Sequence, residues 1–120
     1  MKKHTIEEIN ALSKEEFQKL FDSCPITYTM NAIGGKWKPI ILSRIELGIN
    51  RFGQMQRSIP TISKQMLTAQ LRELEEDGII LRKVFAEIPP RVEYSISENG
   101  KKLFPILEEM AKWGLSQLYK

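Results

Sequence analysis

The spacing of apolar residues predicts helices along most of the chain and one β-hairpin near its C-terminal end. Ser/Thr-x-x-Glu spacings, prolines in first-turn positions and glycines after the last apolar residue indicate where helices begin and end. The helices predicted in this way are two short ones or one interrupted one within residues 1–22, one after Cys24 that ends by Gly34-Gly35, one from Pro39 to Gly48, one from Arg51 to Ser58 capped by Asn50, and one from Ser63 to Asp77.

The helix from Ser63 to Asp77 has two unlike faces. At about 100° per residue, its three leucines fall within about 60° of one another. Beside the leucines, over an arc of about 100°, lies a polar strip, defined by Lys64, Gln65, Thr68 and Arg72. We therefore expect the leucines to be buried and the polar strip to be exposed.

A β-hairpin follows this helix. Residues 79–86 are rich in β-branched and aromatic residues, and residues 91–96 alternate between polar and apolar types, while Pro89-Pro90 stiffens the connection. From Ser97 a final apolar stripe predicts one helix to the end of the chain. Because Pro105 removes a backbone donor inside it, we expect a bend there.

This order of elements predicts an α+β, mainly helical fold, a winged helix-turn-helix with extra N- and C-terminal helices. At 120 residues the chain is long enough for a single domain. We divide it into an N-terminal helical extension, residues 1–23, and a winged-helix domain, residues 24–120. In helix-turn-helix proteins the second helix of the pair lies in the DNA major groove, a role that here falls to the helix from Ser63 to Asp77.

The distribution of charge agrees with a polyanionic partner. Residues 24–72 contain seven basic residues and one acidic residue, although the net charge of the whole chain is only +3. Such a segment favours binding to a nucleic-acid backbone, and the alternative is an ordinary solvated face.

The expected contacts with double-stranded DNA follow from these positions. Side chains of the predicted major-groove helix suit base edges or phosphates, Arg51 at a helix start suits a phosphate, and Arg91 beside the hairpin tip suits the adjacent groove or backbone. The residues assigned to DNA binding are Ser63, Lys64, Gln65, Thr68, Arg72, Arg51, Arg91 and Lys36.

The composition argues against several other classes of protein. One Cys and one His can form neither an intrachain disulfide nor a zinc site, and no cofactor motif is present. Gly34-Gly35-Lys36 lacks the pattern of a phosphate-binding loop, and the sole His4 is near the terminus, so we expect no enzyme. The apolar runs are too short for a membrane span or a leader, and we expect a cytoplasmic protein.

Several short motifs, in register over roughly residues 24–118, together resemble one family. They are Cys24-Pro25, Ile33-Gly34-Gly35-Lys36-Trp37, Arg51-Phe52, Ile62-Ser63-x-x-Met66-Leu67, Leu71-Arg72-x-Leu74-Glu75-x-Asp77-Gly78, Pro89-Pro90-x-Val92-Glu93-Tyr94, Gly100 and Trp113. The chain resembles the HxlR-type winged-helix transcriptional regulators of bacteria and archaea. The stretch before Cys24 is longer than usual in that family.

The resemblance implies a homodimeric DNA-binding regulator, joined through its N- and C-terminal helices and acting on operators with inverted half-sites. Surplus apolar stripes at both ends of the chain also favour a dimer, and the alternative is that the terminal helices fold on one another within one chain. A winged helix that binds protein and not DNA is the second functional hypothesis.

The resemblance also implies a sensor role for Cys24, which would respond to oxidants or a small reactive effector. A thiol at a helix N-terminus has a lowered pKa, which agrees with this role. The alternative is a small apolar residue that caps the helix.

Overall fold

The computed structural model describes residues 7–8, 11–22 and 24–120, and it divides into two units, residues 1–32 and residues 33–120. The described helices and strands are α1 (Lys14–Asp22), α2 (Pro25–Ile33), α3 (Lys38–Glu46), α4 (Phe52–Ser58), α5 (Lys64–Glu76), β1 (Ile80–Phe85), β2 (Arg91–Ile96), α6 (Glu98–Lys101) and α7 (Phe104–Leu118). The fold is α+β and mainly helical, as predicted. Within the described ranges, none of the helices has both the length and the apolar character to cross a bilayer.

In the first unit, α1 begins where its capping pattern predicts. The Ser13 hydroxyl oxygen accepts a hydrogen bond from the Glu16 amide at 3.2 Å and donates to the Glu16 carboxylate at 3.1 Å. The other capping pattern, Thr5 with Glu8, lies partly outside the described residues, because Thr5 is not described. The helix α2 starts at Pro25, and the Tyr28 amide donates to the Cys24 carbonyl at 3.0 Å.

In the second unit, a core of aliphatic side chains is shared by the helices and the hairpin. The helix α3 packs against β2, and α5 packs against β1. Core side chains that are at most 6% exposed are Ile33, Ile41, Leu42, Ile45, Met55, Ile59, Ile62, Leu67, Leu71, Leu74, Ile79 and Ile80. Because these residues are buried, α5 packs against the core on one side and faces solvent on another.

The hairpin is antiparallel, with Ile80 opposite Ile96 and Phe85 opposite Arg91. A backbone hydrogen bond of 2.9 Å from the Tyr94 amide to the Asn50 carbonyl joins β2 to the segment that precedes α4. The expectation that Asn50 caps α4 is therefore wrong. Asn50 lies alongside β2, and Arg51 occupies the N-cap with extended backbone and no side-chain cap.

The C-terminal segment forms two helices where one bent helix was expected. Ser97 caps α6, its hydroxyl oxygen accepting from the Gly100 amide at 2.9 Å, and α7 restarts at Phe104. Pro105 thus lies in the first turn of α7, where the backbone N–H groups have no partner within the helix and a proline is well tolerated. The proline marks a helix start and not an internal bend.

Candidate nucleic-acid interface

The helix α5 is bounded by signals encoded in its own sequence. The Ser63 hydroxyl oxygen accepts a hydrogen bond of 3.0 Å from the Met66 amide. At the other end Gly78 adopts φ of 72°, and the Ile79 amide donates to the Leu74 carbonyl at 3.0 Å. These are an N-cap and a Schellman-type C-terminus, so both ends agree with the sequence prediction.

The two faces of α5 are buried and exposed as the periodicity predicts. Leu67, Leu71 and Leu74 are at most 2% exposed. In the polar strip Lys64, Gln65 and Arg72 are exposed and Thr68 is half-buried. The buried side is confined to the leucines, since Met66 on the same helix is 39% exposed. The strip residues line one open groove of about 330 Å³, together with Ala69. This arrangement presents two cations, an amide and a hydroxyl along one helix face.

The turn before α5 fixes its position relative to α4. Ile59 and Ile62 are buried on either side of Thr61, whose φ is 70°. The Arg44 guanidinium donates to the Ser58 carbonyl at 3.3 Å and so stabilises the C-terminal end of α4. The pair α4 and α5 is thus a helix-turn-helix whose turn is anchored by two buried isoleucines.

Arg51 and Arg91 lie close together and are each ion-paired with a glutamate. A Glu93 carboxylate oxygen lies 3.4 Å from Arg51 Nη2 and 3.7 Å from Arg91 Nε, while Glu87 lies 3.2 Å from Arg91 Nη2. The Arg91 guanidinium also stacks 4.0 Å from the centroid of the Phe85 ring. These two arginines and two glutamates form a cluster with no net charge. Any contact of Arg51 or Arg91 with DNA would have to compete with these carboxylates.

Lys36 lies apart from the polar strip. It is exposed in the turn between α2 and α3, and its Nζ lies 4.7 Å from the centroid of the Trp37 ring. It does not line the groove of the polar strip.

Sequence reasoning missed Arg82. A second cleft, also of about 330 Å³, separates α5 from the hairpin, and Arg82 lines it together with Thr68 and Arg72. The period of two along β1 places Arg82 on the same side as the buried Ile80, facing α5. The alternation of side chains along β1 could therefore have identified Arg82 from the sequence as a residue that faces α5.

Cys24 occupies the N-cap of α2 and is half-buried. The amide of Thr27, then the amide of Ile26 and the Thr27 hydroxyl, hydrogen-bond to its sulfur and lower the pKa of the thiol. Slight burial acts in the opposite direction. The predicted N-cap position is confirmed, and the thiol is set up to ionise more readily than a free cysteine.

Comparison with known proteins places these features in a family. Residues 32–120 match the HxlR-like helix-turn-helix family. The uncharacterized HTH-type transcriptional regulator YybR of Bacillus subtilis (strain 168) is 47% identical over 95 residues, which cover 79% of this chain and 76% of YybR.

Solved structures agree with the fold. The HTH-type transcriptional regulator ytcD superposes with a TM-score of 0.76 at 42% identity, over 81% of this chain and 99% of its own. The redox regulator HypR in its oxidized form superposes with a TM-score of 0.72 at 48% identity, over 78% of this chain and 96% of its own. With a family match over most of its length and close relatives of similar length, the chain belongs to the HxlR-like family of winged helix-turn-helix transcriptional regulators.

Proposed function

We propose that this protein is a homodimeric regulator that places α5 of each subunit in the major groove of an operator with two inverted half-sites. The observation that carries the proposal is the polar strip, which faces solvent on a helix that is held in the core by its buried leucines. Arginine and lysine match guanine edges and phosphates, glutamine matches adenine, and the major groove admits one helix.

The C-terminal helix supports the dimer. No residue of α7 is buried, and its exposed apolar side chains include Trp113 at 69% and Leu118 at 77%. An apolar stripe of this kind is typical of a surface that another subunit covers. Two-fold symmetry would then set two copies of α5 about 34 Å apart, one turn of DNA.

Alanine variants of the polar strip test the proposal. Lys64→Ala and Arg72→Ala are each expected to weaken DNA binding. Each should also reduce the magnitude of the slope of log K against log [salt] by about 1.8, since a dimer loses two phosphate contacts that contribute about 0.9 each. Gln65→Ala is expected to relax sequence preference more than it lowers affinity for unrelated duplexes. Fluorescence anisotropy on labelled duplexes over a salt series measures both effects.

Lys101→Ala is the matched control, because Lys101 lies beside a different cleft, near Glu46 and Phe104. It removes the same charge and should leave the salt slope unchanged. Wild-type binding by all three strip variants would reject a DNA-reading role and favour the alternative, a winged helix that binds protein.

We further propose that Cys24 makes DNA binding responsive to oxidants or electrophiles. A half-buried thiol with three hydrogen-bond donors and a lowered pKa supports this proposal. With a single cysteine in the chain, the oxidised products open to it are a sulfenic acid, a mixed disulfide with a small thiol, or a bridge to the same residue of a second subunit.

A further inference from the structure

The cleft between α5 and the hairpin contains two guanidinium groups, from Arg72 on α5 and Arg82 on β1. Both side chains are exposed, and neither lies within ion-pairing distance of a carboxylate among the described residues. Arg51 and Arg91, in contrast, are each paired with glutamate. Two cations without a carboxylate partner therefore line the cleft together.

The walls of the cleft favour an anion over an apolar ligand. Phe52 and Tyr94 also line the cleft, and Tyr94 lies directly opposite Arg82 in the hairpin. Glu75 also lines the cleft, so the local charge is +1. A guanidinium presents several N–H donors in one plane and binds phosphate through paired hydrogen bonds.

The geometry of duplex DNA indicates which anion would lie there. A helix in the major groove and a hairpin over the adjacent groove must straddle the sugar–phosphate strand that separates the two grooves. The cleft is the space between those two elements. We infer that Arg72 and Arg82 together bind a backbone phosphodiester of the operator, which makes Arg82 a DNA-binding residue that positions α5 in the groove.

This inference rests on the proposed function, and it assigns the two arginines unequal roles. Arg72 belongs both to the polar strip and to the cleft, whereas Arg82 reaches only the cleft. A phosphate contact carries no sequence information. Arg82 therefore contributes to affinity on every duplex alike.

Arg82→Ala in the full chain is the test, measured on the preferred duplex and on an unrelated duplex across a salt series. The expected result is a loss of affinity of roughly tenfold or more on both duplexes, as one charge-assisted hydrogen bond is lost in each subunit. The slope of log K against log [salt] should decrease in magnitude by about 1.8 per dimer. Arg82→Lys should restore most of the slope but only part of the affinity, because lysine cannot bind bidentately.

Lys83→Ala is the matched control, since the neighbouring residue points to the other face of the hairpin, where its Nζ lies 4.9 Å from the Phe85 ring centroid. Glu75→Gln removes the negative charge from the cleft and should therefore tighten binding on both duplexes. Equal affinity and slope for wild type and Arg82→Ala, or equal losses for Arg82→Ala and Lys83→Ala, would overturn the inference alone. If wild-type protein binds no duplex, the proposed function fails with it.

Discussion

At the scale of single residues, the partners of each basic side chain determine its availability to DNA. Lys64 and Arg72 project from α5 without a carboxylate within ion-pairing distance among the described residues, whereas Arg51 shares Glu93 with Arg91. Sequence spacing could place the strip residues, because they belong to one helix. It could not predict the pairing of Arg51 with Glu93, which are 42 positions apart and are brought together where the Tyr94 amide hydrogen-bonds to the Asn50 carbonyl.

Cys24 gives a residue-scale prediction of pH dependence. Because hydrogen bonds to its sulfur lower the pKa of the thiol, the thiolate should be present at lower pH than in free cysteine. The alkylation rate with iodoacetamide, followed against pH by mass spectrometry, should therefore have a midpoint below that of free cysteine. Thr27→Val removes the hydroxyl donor but keeps the amide, and should move the midpoint upward. A wild-type midpoint at or above that of free cysteine would contradict this assignment.

The sensor role requires a further comparison on DNA. Cys24→Ser preserves an N-cap residue, so α2 should remain folded while the thiol is lost. Diamide or a quinone should change the affinity of the wild type for its operator and leave that of Cys24→Ser unchanged. Identical responses of the two proteins would leave Cys24 with a capping role only.

At the scale of elements, local signals predicted most of the fold, and the departures arise from long-range contacts. The ends of α5 and the positive φ at Gly48 and Gly78 follow from caps and glycine stops within a few residues. Asn50 departs from prediction because its carbonyl is taken by β2, more than 40 positions later. Arg82 was missed because a strand residue gains its role only when the hairpin packs against α5.

Ser63 allows helix capping and DNA contact to be separated. Ser63→Ala removes the hydrogen bond to the Met66 amide and should cost about 1 kcal/mol of the free energy of unfolding, measured by urea denaturation. Ser63→Asp keeps a good cap and should retain stability, but its negative charge facing phosphate should weaken DNA binding strongly. If Ser63→Asp binds DNA as tightly as wild type, the N-terminal end of α5 does not face the duplex.

At the scale of the whole molecule, the proposed dimer depends on α7, which would hold two copies of α5 on one operator. Trp113 and Leu118 are too exposed to stabilise a monomer, so their burial must come from another surface if they contribute to stability. If two subunits are joined in this way, binding of one half-site raises the effective concentration of the second subunit at the other half-site. The dimer therefore binds paired half-sites more tightly than one subunit binds a single half-site.

Trp113→Glu with Leu118→Glu should yield a folded monomer, because neither side chain belongs to the core. Sedimentation equilibrium should give half the wild-type mass, and operator affinity should fall by about 100-fold or more as avidity is lost. Lys112→Glu, which removes an exposed ion pair with Glu109 on the same helix, is the control and should remain dimeric. A wild-type protein that sediments as a monomer would contradict this prediction.

Selection of bound sequences from random duplex DNA tests whether two copies of α5 read paired half-sites, because it measures binding, sequence preference and half-site spacing together. The proposed dimer, with one polar strip on each of two symmetric subunits, predicts enrichment of inverted half-sites with centres about 10 base pairs apart or a multiple of that. Gln65→Ala should change the bases preferred within each half-site and leave the spacing intact. Recovery of no common sequence by the wild type, or an identical base preference in Gln65→Ala, would show that α5 does not read the operator.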